Sequence, residues 1–233
     1  MRLSPVYSSG PEGEKPLLGL PQPLDLDALL PGDGPWHVEI GYGKGKYLLH
    51  QAVEHPERRY LGIEIVSKYY RLLEGRARRR GVSNLVNVRG EALYLLSAVL
   101  PRAFAHQVHV YFPDPWPKAR HHRRRLFDTR TLDLVLGALK PGGQLCFATD
   151  FLEYGELVMD LLAGYPDLVV EPLLGQWPGG ARTNYEAKFV IEGRPILRLV
   201  ATLSEAASPG ALHPGGVDGV VAAVAPKDED DLL

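Results

Sequence analysis

The sequence predicts an α/β fold: a mostly parallel sheet with helices on both faces. Two observations carry this expectation. From Trp36 onwards, short β-branched or apolar runs alternate with longer amphipathic stretches, the signature of βαβ units. The first of those runs passes through a glycine-rich turn, EIGYGKG at 39–45, directly into a helical pattern, placing a loop at a strand C-terminus where open α/β sheets bind ligands. At 233 residues the chain suits one globular domain. Its 45% hydrophobic and 23% charged residues are ordinary for a chain that builds a packed core.

The elements follow in order. Residues 1–34 carry Pro5, Pro11, Pro16, Pro21, Pro23 and Pro31 among several glycines, so an extended lead-in with sparse regular structure is expected. The domain proper should run over 35–203. Strands are expected at 36–40, 60–65, 84–89, 107–112 and 144–149, and helices at 46–54, 68–80, 92–99, 123–139 and 152–162, from the switch between strand-like runs and helical spacing. The helix over 123–139 should stop near Lys140, because Pro141, Gly142 and Gly143 form a turn. Residues 168–171 and the apolar stretch 188–203, turning back at Glu192 to Pro195, read as final strands. Residues 204–233 shift to Ala, Gly, Pro and Val and end in Asp228, Glu229, Asp230 and Asp231, a low-complexity tail expected to be disordered.

Bulk properties narrow the function. The single cysteine, Cys146, excludes an intramolecular disulfide framework and a thiolate-rich zinc site, which points to the cytoplasm and to no metal. No apolar run approaches the roughly 20 residues of a membrane helix, and the N-terminus lacks a secretory h-region. The net charge of −2 conceals two basic clusters: Lys118, Arg120, Arg123, Arg124 and Arg125 beside His121 and His122, and Arg76, Arg78, Arg79 and Arg80. Clustered cations make local positive potential whatever the total.

The glycine loop favours a nucleoside ligand. Gly41 and Gly43 permit tight backbone geometry and let a ligand approach the main chain. Dinucleotide enzymes use Gly-x-Gly-x-x-Gly, and here Gly45 falls one position early, which argues against a nicotinamide dehydrogenase. Glu64 ends the second strand about 20 residues on, where an acid accepts hydrogen bonds from ribose hydroxyls. Glu91 follows the third strand, suited either to an adenine amino group or to capping the next helix. Glu39 precedes the glycines, and its negative charge suits the cationic methionine end of S-adenosylmethionine better than a pyrophosphate.

After the fourth strand comes FPDPWPK at 112–118, then RHHRRR at 120–125. Prolines fix φ, so this turn should be rigid and its Asp114, Trp116 and Lys118 pre-aimed. These stretches, with EIGYGKG, LGIEI at 61–65, ATD at 148–150 and TNYEAKF at 183–189, resemble the bacterial tRNA (guanine-N7-)-methyltransferases, in family order and over about 36–200. The resemblance implies a Rossmann-like class I methyltransferase fold with a seven-stranded sheet. It also implies that Glu39, Gly41, Gly43, Glu64, Glu91 and Asp114 contact S-adenosylmethionine, with Asp114 also at the catalytic centre. Lys118, Asp150, Thr183, Asn184, Tyr185 and Glu186 would then contact tRNA, the target being a guanosine of the variable loop. The family usually carries Asp at the position of Glu91, and the two ends extend beyond its core.

Guanine N7 already bears an in-plane lone pair, so its methylation needs no general base; what it needs is alignment and negative potential near the ring. Asp114 and Asp150 suit this, and either can accept from guanine N1 and N2. Trp116 or Tyr185 is placed either to stack on the base or to pack internally, and Lys118 with the arginines after it should grip phosphates. Two rivals remain: a methyltransferase for another RNA base, and a catalytically inactive RNA-binding protein of the same fold. DNA is not an expected partner, and no pattern in the sequence specifies an oligomeric state.

Overall fold

The computed structural model of the chain describes residues 7–10, 13–16, 23–128 and 131–207. Its strands are β1 (Tyr7–Gly10), β2 (Gly13–Pro16), β3 (Trp36–Ile40), β4 (Arg59–Glu64), β5 (Leu85–Arg89), β6 (Ala105–Tyr111), β7 (Leu139–Thr149), β8 (Leu168–Pro172) and β9 (Leu197–Leu203). They form one sheet in the order β2-β1-β5-β4-β3-β6-β7-β9-β8. Neighbours from β5 through β7 pair in parallel, and β9 is slotted antiparallel between β7 and β8. Strands β3 to β9 are therefore the expected mostly parallel, seven-stranded sheet.

The helices are α1 (Leu26–Leu29), α2 (Lys46–Glu54), α3 (Ser67–Arg79), α4 (Ala92–Tyr94), α5 (Thr131–Ala138), α6 (Leu152–Ala163) and α7 (Asn184–Ile191). They cover both faces because the strands alternate two apolar sets. Trp36, Val38, Ile40, Leu61, Ile63, Val108 and Val110 pack in one core with Leu132, Val135, Leu136, Tyr154 and Val158 of α5 and α6. The opposite face has a cluster of Tyr42, Leu48, Leu49, Ala52, Tyr60 and Leu73 under α2 and α3, and an aromatic one of Tyr47, Tyr111, Cys146, Ala148 and Trp177. Between these clusters the sheet buries His37, Glu39, Asn87 and His109, an unusually polar layer for a core.

One missing side chain lets α2 sit down on this face. A Cβ on Gly62 of β4 would lie 2.5 Å from Leu48 Cδ2 and 2.9 Å from Tyr42 Cε1, far inside van der Waals contact. Tyr42 is fixed in turn by a hydrogen bond from its hydroxyl to Asn87, whose amide donates to Tyr70 O at 3.1 Å.

The extended lead-in carries a short hairpin, β1 and β2, added antiparallel to β5, pairing backbone groups that the edge of β5 would otherwise leave open. Asp25 caps α1 by accepting from Asp27 N and Ala28 N, each at 3.0 Å. Two expectations beyond the lead-in need correction. The single helix expected over 123–139 is two pieces, a 3-10 turn at Ala119–Arg124 and then α5. Reciprocal bonds divide them, Thr131 N to Asp128 Oδ1 at 2.8 Å and Asp128 N to Thr131 Oγ1 at 2.9 Å, which start a new helix. Finally, 188–191 belong to α7 rather than to a strand, because Thr183 accepts from Glu186 N at 3.0 Å and nucleates a helix there. The expectation of disorder over 204–233 falls, from residue 208, outside the described residues. Among the described residues no helix is long and apolar enough to cross a membrane.

Candidate active site

A cavity of about 340 Å³ opens at the C-terminal ends of β3 and β6, roofed by α7. Its floor is Glu39, Tyr47 and Tyr111, its rim the loop of Gly41, Tyr42 and Gly43 with Tyr69 of α3, and its far wall Phe112, Thr183, Asn184, Tyr185 and Lys188.

Glu39 is 2% exposed, and its Oε2 has no hydrogen-bond partner among the described residues. Burial pushes its carboxyl up to about 8, offset in part by a backbone hydrogen bond from Leu48 and by the nearby Arg182. A buried oxygen aimed at a cavity and lacking a donor suits a cationic ligand group. Above it, Gly41 and Gly43 adopt φ of +66° and +54°, and a Cβ on either would meet nothing within 4 Å, so the backbone there borders open space that a ligand can fill. Gly45 differs: its Cβ would stand 2.7 Å from Leu73 Cδ1, so the third glycine lets the loop pack on α3.

Glu64 is buried and accepts from Gly43 N at 2.9 Å and Val66 N at 2.8 Å. It thereby ties the glycine loop to the start of α3 while each oxygen keeps a second lone pair. Glu91 caps α4, accepting from Tyr94 N at 2.6 Å through Oε2, so the capping role weighed from sequence is the one seen.

The turn at 112–118 is strained and anchored. Phe112 and Trp116 sit at φ of 53° and 41°, rare for side-chain-bearing residues and costing about 1–2 kcal/mol each. Phe112 N donates to Ala148 O at 2.7 Å, and Arg125 Nε donates to Pro115 O at 2.7 Å. Arg125 is 5% exposed, bonds Glu153 at 3.3 Å and lies over Tyr154. It therefore buttresses the turn and is not available to grip phosphate, a correction to the expectation for that arginine. Trp116 is half-buried, with Arg124 over its ring at 5.0 Å and His121 at its edge. Asp114 and Lys118 stand exposed on this frame.

The remaining expected residues divide. Thr183, Asn184 and Tyr185 line the cavity, and Tyr185 is 59% exposed. Asp150 lies away from the cavity lining and pairs with Arg194 at 3.4 Å. Glu186 is fully buried, accepting from Arg198 Nε at 2.7 Å and Arg182 N at 2.8 Å. Direct contact with a substrate, as expected for Glu186, does not fit that placement: its carboxylate holds the 182–183 backbone in position.

Sequence reasoning missed Arg182. Its guanidinium lies over the rings of Trp177, Tyr47 and Tyr111 at 3.9, 4.9 and 5.6 Å, and donates to the Tyr111 hydroxyl, clamping the loop before α7 onto the end of β6 beside Glu39. Its place directly before TNYE was the available signal. Lys46, whose Nζ donates to Ala181 O at 3.3 Å, also lines the cavity and was not singled out.

A family profile described as putative methyltransferase matches residues 33–199. The chain is 41% identical over 205 residues to a tRNA (guanine-N(7)-)-methyltransferase of Alkalilimnicola ehrlichii, covering 87% of this chain and 83% of that one. It is 35% identical to the protein of the same name from Nitrosococcus oceani over 84% of each chain. Solved structures of the antibiotic-resistance methyltransferase Kmr and the aminoglycoside resistance methyltransferase NpmB1 superpose with TM-scores of 0.55 and 0.57, at 18% and 19% identity, over 84% and 85% of this chain and 99% of each of those. The sheet, its acid-floored glycine loop and these neighbours define the class I S-adenosylmethionine-dependent methyltransferase fold. Within that class, the chain belongs to the tRNA (guanine-N7-)-methyltransferase family.

Proposed function

We propose that this protein methylates N7 of a guanosine in the tRNA variable loop, using S-adenosylmethionine, and acts in the cytoplasm. The observation that carries the cofactor half is the unpartnered Oε2 of buried Glu39 beneath the open glycine loop. Glu39 would take the amino-acid ammonium, the backbone at Gly41 and Gly43 would border the ligand, and Glu64 would take ribose hydroxyls on its remaining lone pairs. Glu91 would meet the adenine amino group on the oxygen not engaged in capping α4. When bound, S-adenosylmethionine supplies an electrophilic sulfonium methyl; the C–S bond breaks as the bond to N7 forms, and the positive charge passes to the guanine.

The chain's own residues do the rest. N7 carries its lone pair at neutral pH, so no side chain removes a proton and no Lewis acid is required. Asp114, exposed on its anchored turn, would accept from guanine N1 and N2 and oppose the charge developing on the ring, a contribution of about 2.7–4 kcal/mol for a well-placed group. Tyr185, exposed on the cavity wall, would stack on the base for about 1–3 kcal/mol. Thr183 and Asn184 would meet the nucleoside from the start of α7, while Glu186 and Arg182 hold that start in place. Lys118 would take a phosphate. Asp150 would reach RNA by exchanging its Arg194 partner.

The test is incubation with unmodified tRNA and methyl-labelled S-adenosylmethionine, then nucleoside analysis. Label in 7-methylguanosine, with an Asp114→Asn variant at least a hundredfold slower in kcat, is expected. Label in another nucleoside would move the target, and tRNA binding without label would make the chain an inactive binder.

A further inference from the structure

Apart from Arg76, the second basic cluster lies outside the site and has no part in the reaction just described. Between Ser67 and Arg80 there are six basic residues and one acid, Glu74. They are not spread evenly round the helix. At 100° per residue, Lys68, Arg71, Gly75, Arg78 and Arg79 fall on one face, and Lys68, Arg71, Arg78 and Arg79 are exposed, while Tyr70 and Leu73 point inward. Glu74 borders this face and pairs with Arg78 at 2.7 Å, leaving the Arg78 side chain 77% exposed. Arg76 is turned aside and donates to Lys44 O at 2.8 Å, bracing the glycine loop.

The face points somewhere. Tyr69 lines the cavity, so the N-terminal turn of α3 stands at its mouth, and the stripe from Lys68 to Arg79 runs about 16 Å away from it. It leaves on the β4–β5 side, whereas Lys118 and its turn follow β6 on the other side of β3. A nucleic acid that delivers one base into the cavity must pass its backbone over both sides. At mid-stripe Gly75 offers no side chain, and the nearest atom to a Cβ there would be Arg79 Nη1 at 3.5 Å, so a sugar-phosphate chain can come close to the helix.

We infer that the outer face of α3, Lys68, Arg71, Arg78 and Arg79, is a second phosphate track that holds the body of the tRNA while the turn at 112–118 holds the strand bearing the target base. This rests on tRNA being the substrate. The track gives affinity and orientation without reading sequence, since phosphate contacts carry no base information.

The test is a Lys68→Gln, Arg71→Gln, Arg79→Gln triple variant of the full chain, none of whose residues touches the cavity. Binding to a full-length tRNA transcript is measured by fluorescence anisotropy from low to moderate salt. The expected result is a Kd at least tenfold weaker at moderate salt and a log–log salt slope shallower by about two to three, since each phosphate that is no longer neutralised lowers the slope by about 0.7–0.9. Binding of S-adenosylhomocysteine and kcat at saturating tRNA stay at wild-type values, and a short stem-loop carrying only the target loop binds both proteins alike. An unchanged slope and Kd for full-length tRNA would overturn the phosphate track. A wild-type protein that fails to bind tRNA at all would instead overturn the functional reading beneath it.

Discussion

Two loops at the C-terminal end of the sheet need the same backbone conformation and reach it by opposite means. The loop after β3 enters the positive-φ region at Gly41 and Gly43, where it costs little and leaves bare main chain against the cavity. The turn after β6 enters it at Phe112 and Trp116, where each carries a steric penalty. Those side chains make contacts that glycine could not: Phe112 lines the cavity and meets Phe189 of α7 at 5.5 Å, and Trp116 lies under Arg124. The first loop leaves its backbone open to the cavity. The second carries the exposed Asp114 and is held by Arg125 from beneath. The lesson is that glycines mark where main chain is left bare, and strained bulky residues mark where side chains are needed for packing.

The comparison breaks most sharply at Gly43. A Gly43→Val substitution puts a β-branched residue at φ +54° and fills the cradle, and should weaken S-adenosylhomocysteine by about a hundredfold, roughly 2.7 kcal/mol, measured by isothermal titration. Wild-type affinity would mean the ligand does not rest on that loop. A smaller effect concerns the acid below it. Burial first, and Glu64 to a lesser degree, hold the Glu39 carboxyl near 8 against the Leu48 hydrogen bond and Arg182, so at pH 6.5 the free protein keeps its proton there. A cationic ligand favours the ionised form and must expel that proton. Affinity should therefore rise about tenfold from pH 6.5 to 8 and level off above it, with a Glu39→Gln variant losing the slope; a flat wild-type profile would remove the ammonium contact. The smallest effect belongs to the strained turn. Trp116→Gly relieves the φ penalty and removes the ring beneath Arg124, two terms of about 1 kcal/mol that oppose each other. The thermal midpoint should move by less than about 4 °C, while kcat on tRNA falls severalfold as the turn loses its aim.

The glycine-loop side is the more legible in the sequence. Strand β3 and helix α2 fall at the residues expected of them, because an apolar run, a glycine loop and an amphipathic helix are all local patterns. Glu39 and Glu64 are read from their position relative to strand ends, which is again local. The turn after β6 and the start of α7 are less legible. Arg125 sits in a basic run yet is buried, and nothing in RHHRRR says which arginine points inward; that depends on Tyr154 and Glu153 coming from α6. TNYE reads as a set of tRNA contacts, yet Glu186 is neutralised in the interior by Arg198 of β9. The start of α7 was within reach, since Thr183 followed three residues later by Glu186 is a helix-start pattern, but the apolar stretch behind it looked like strand. The β1–β2 hairpin depends on the open edge of β5, a partner more than sixty residues distant in the chain.

Gly62 gives the glycine loop an owner outside the loop. The conformation of 41–45 depends on α2 lying close to β4, and that closeness exists because a hydrogen stands where any larger group would strike Leu48 and Tyr42. Anyone grafting EIGYGKG onto another parallel sheet would therefore carry over a sequence without its template. The portable unit is two adjacent strands and the helix between them, and its least conspicuous member, with no side chain and no ligand contact, decides whether the transplant takes.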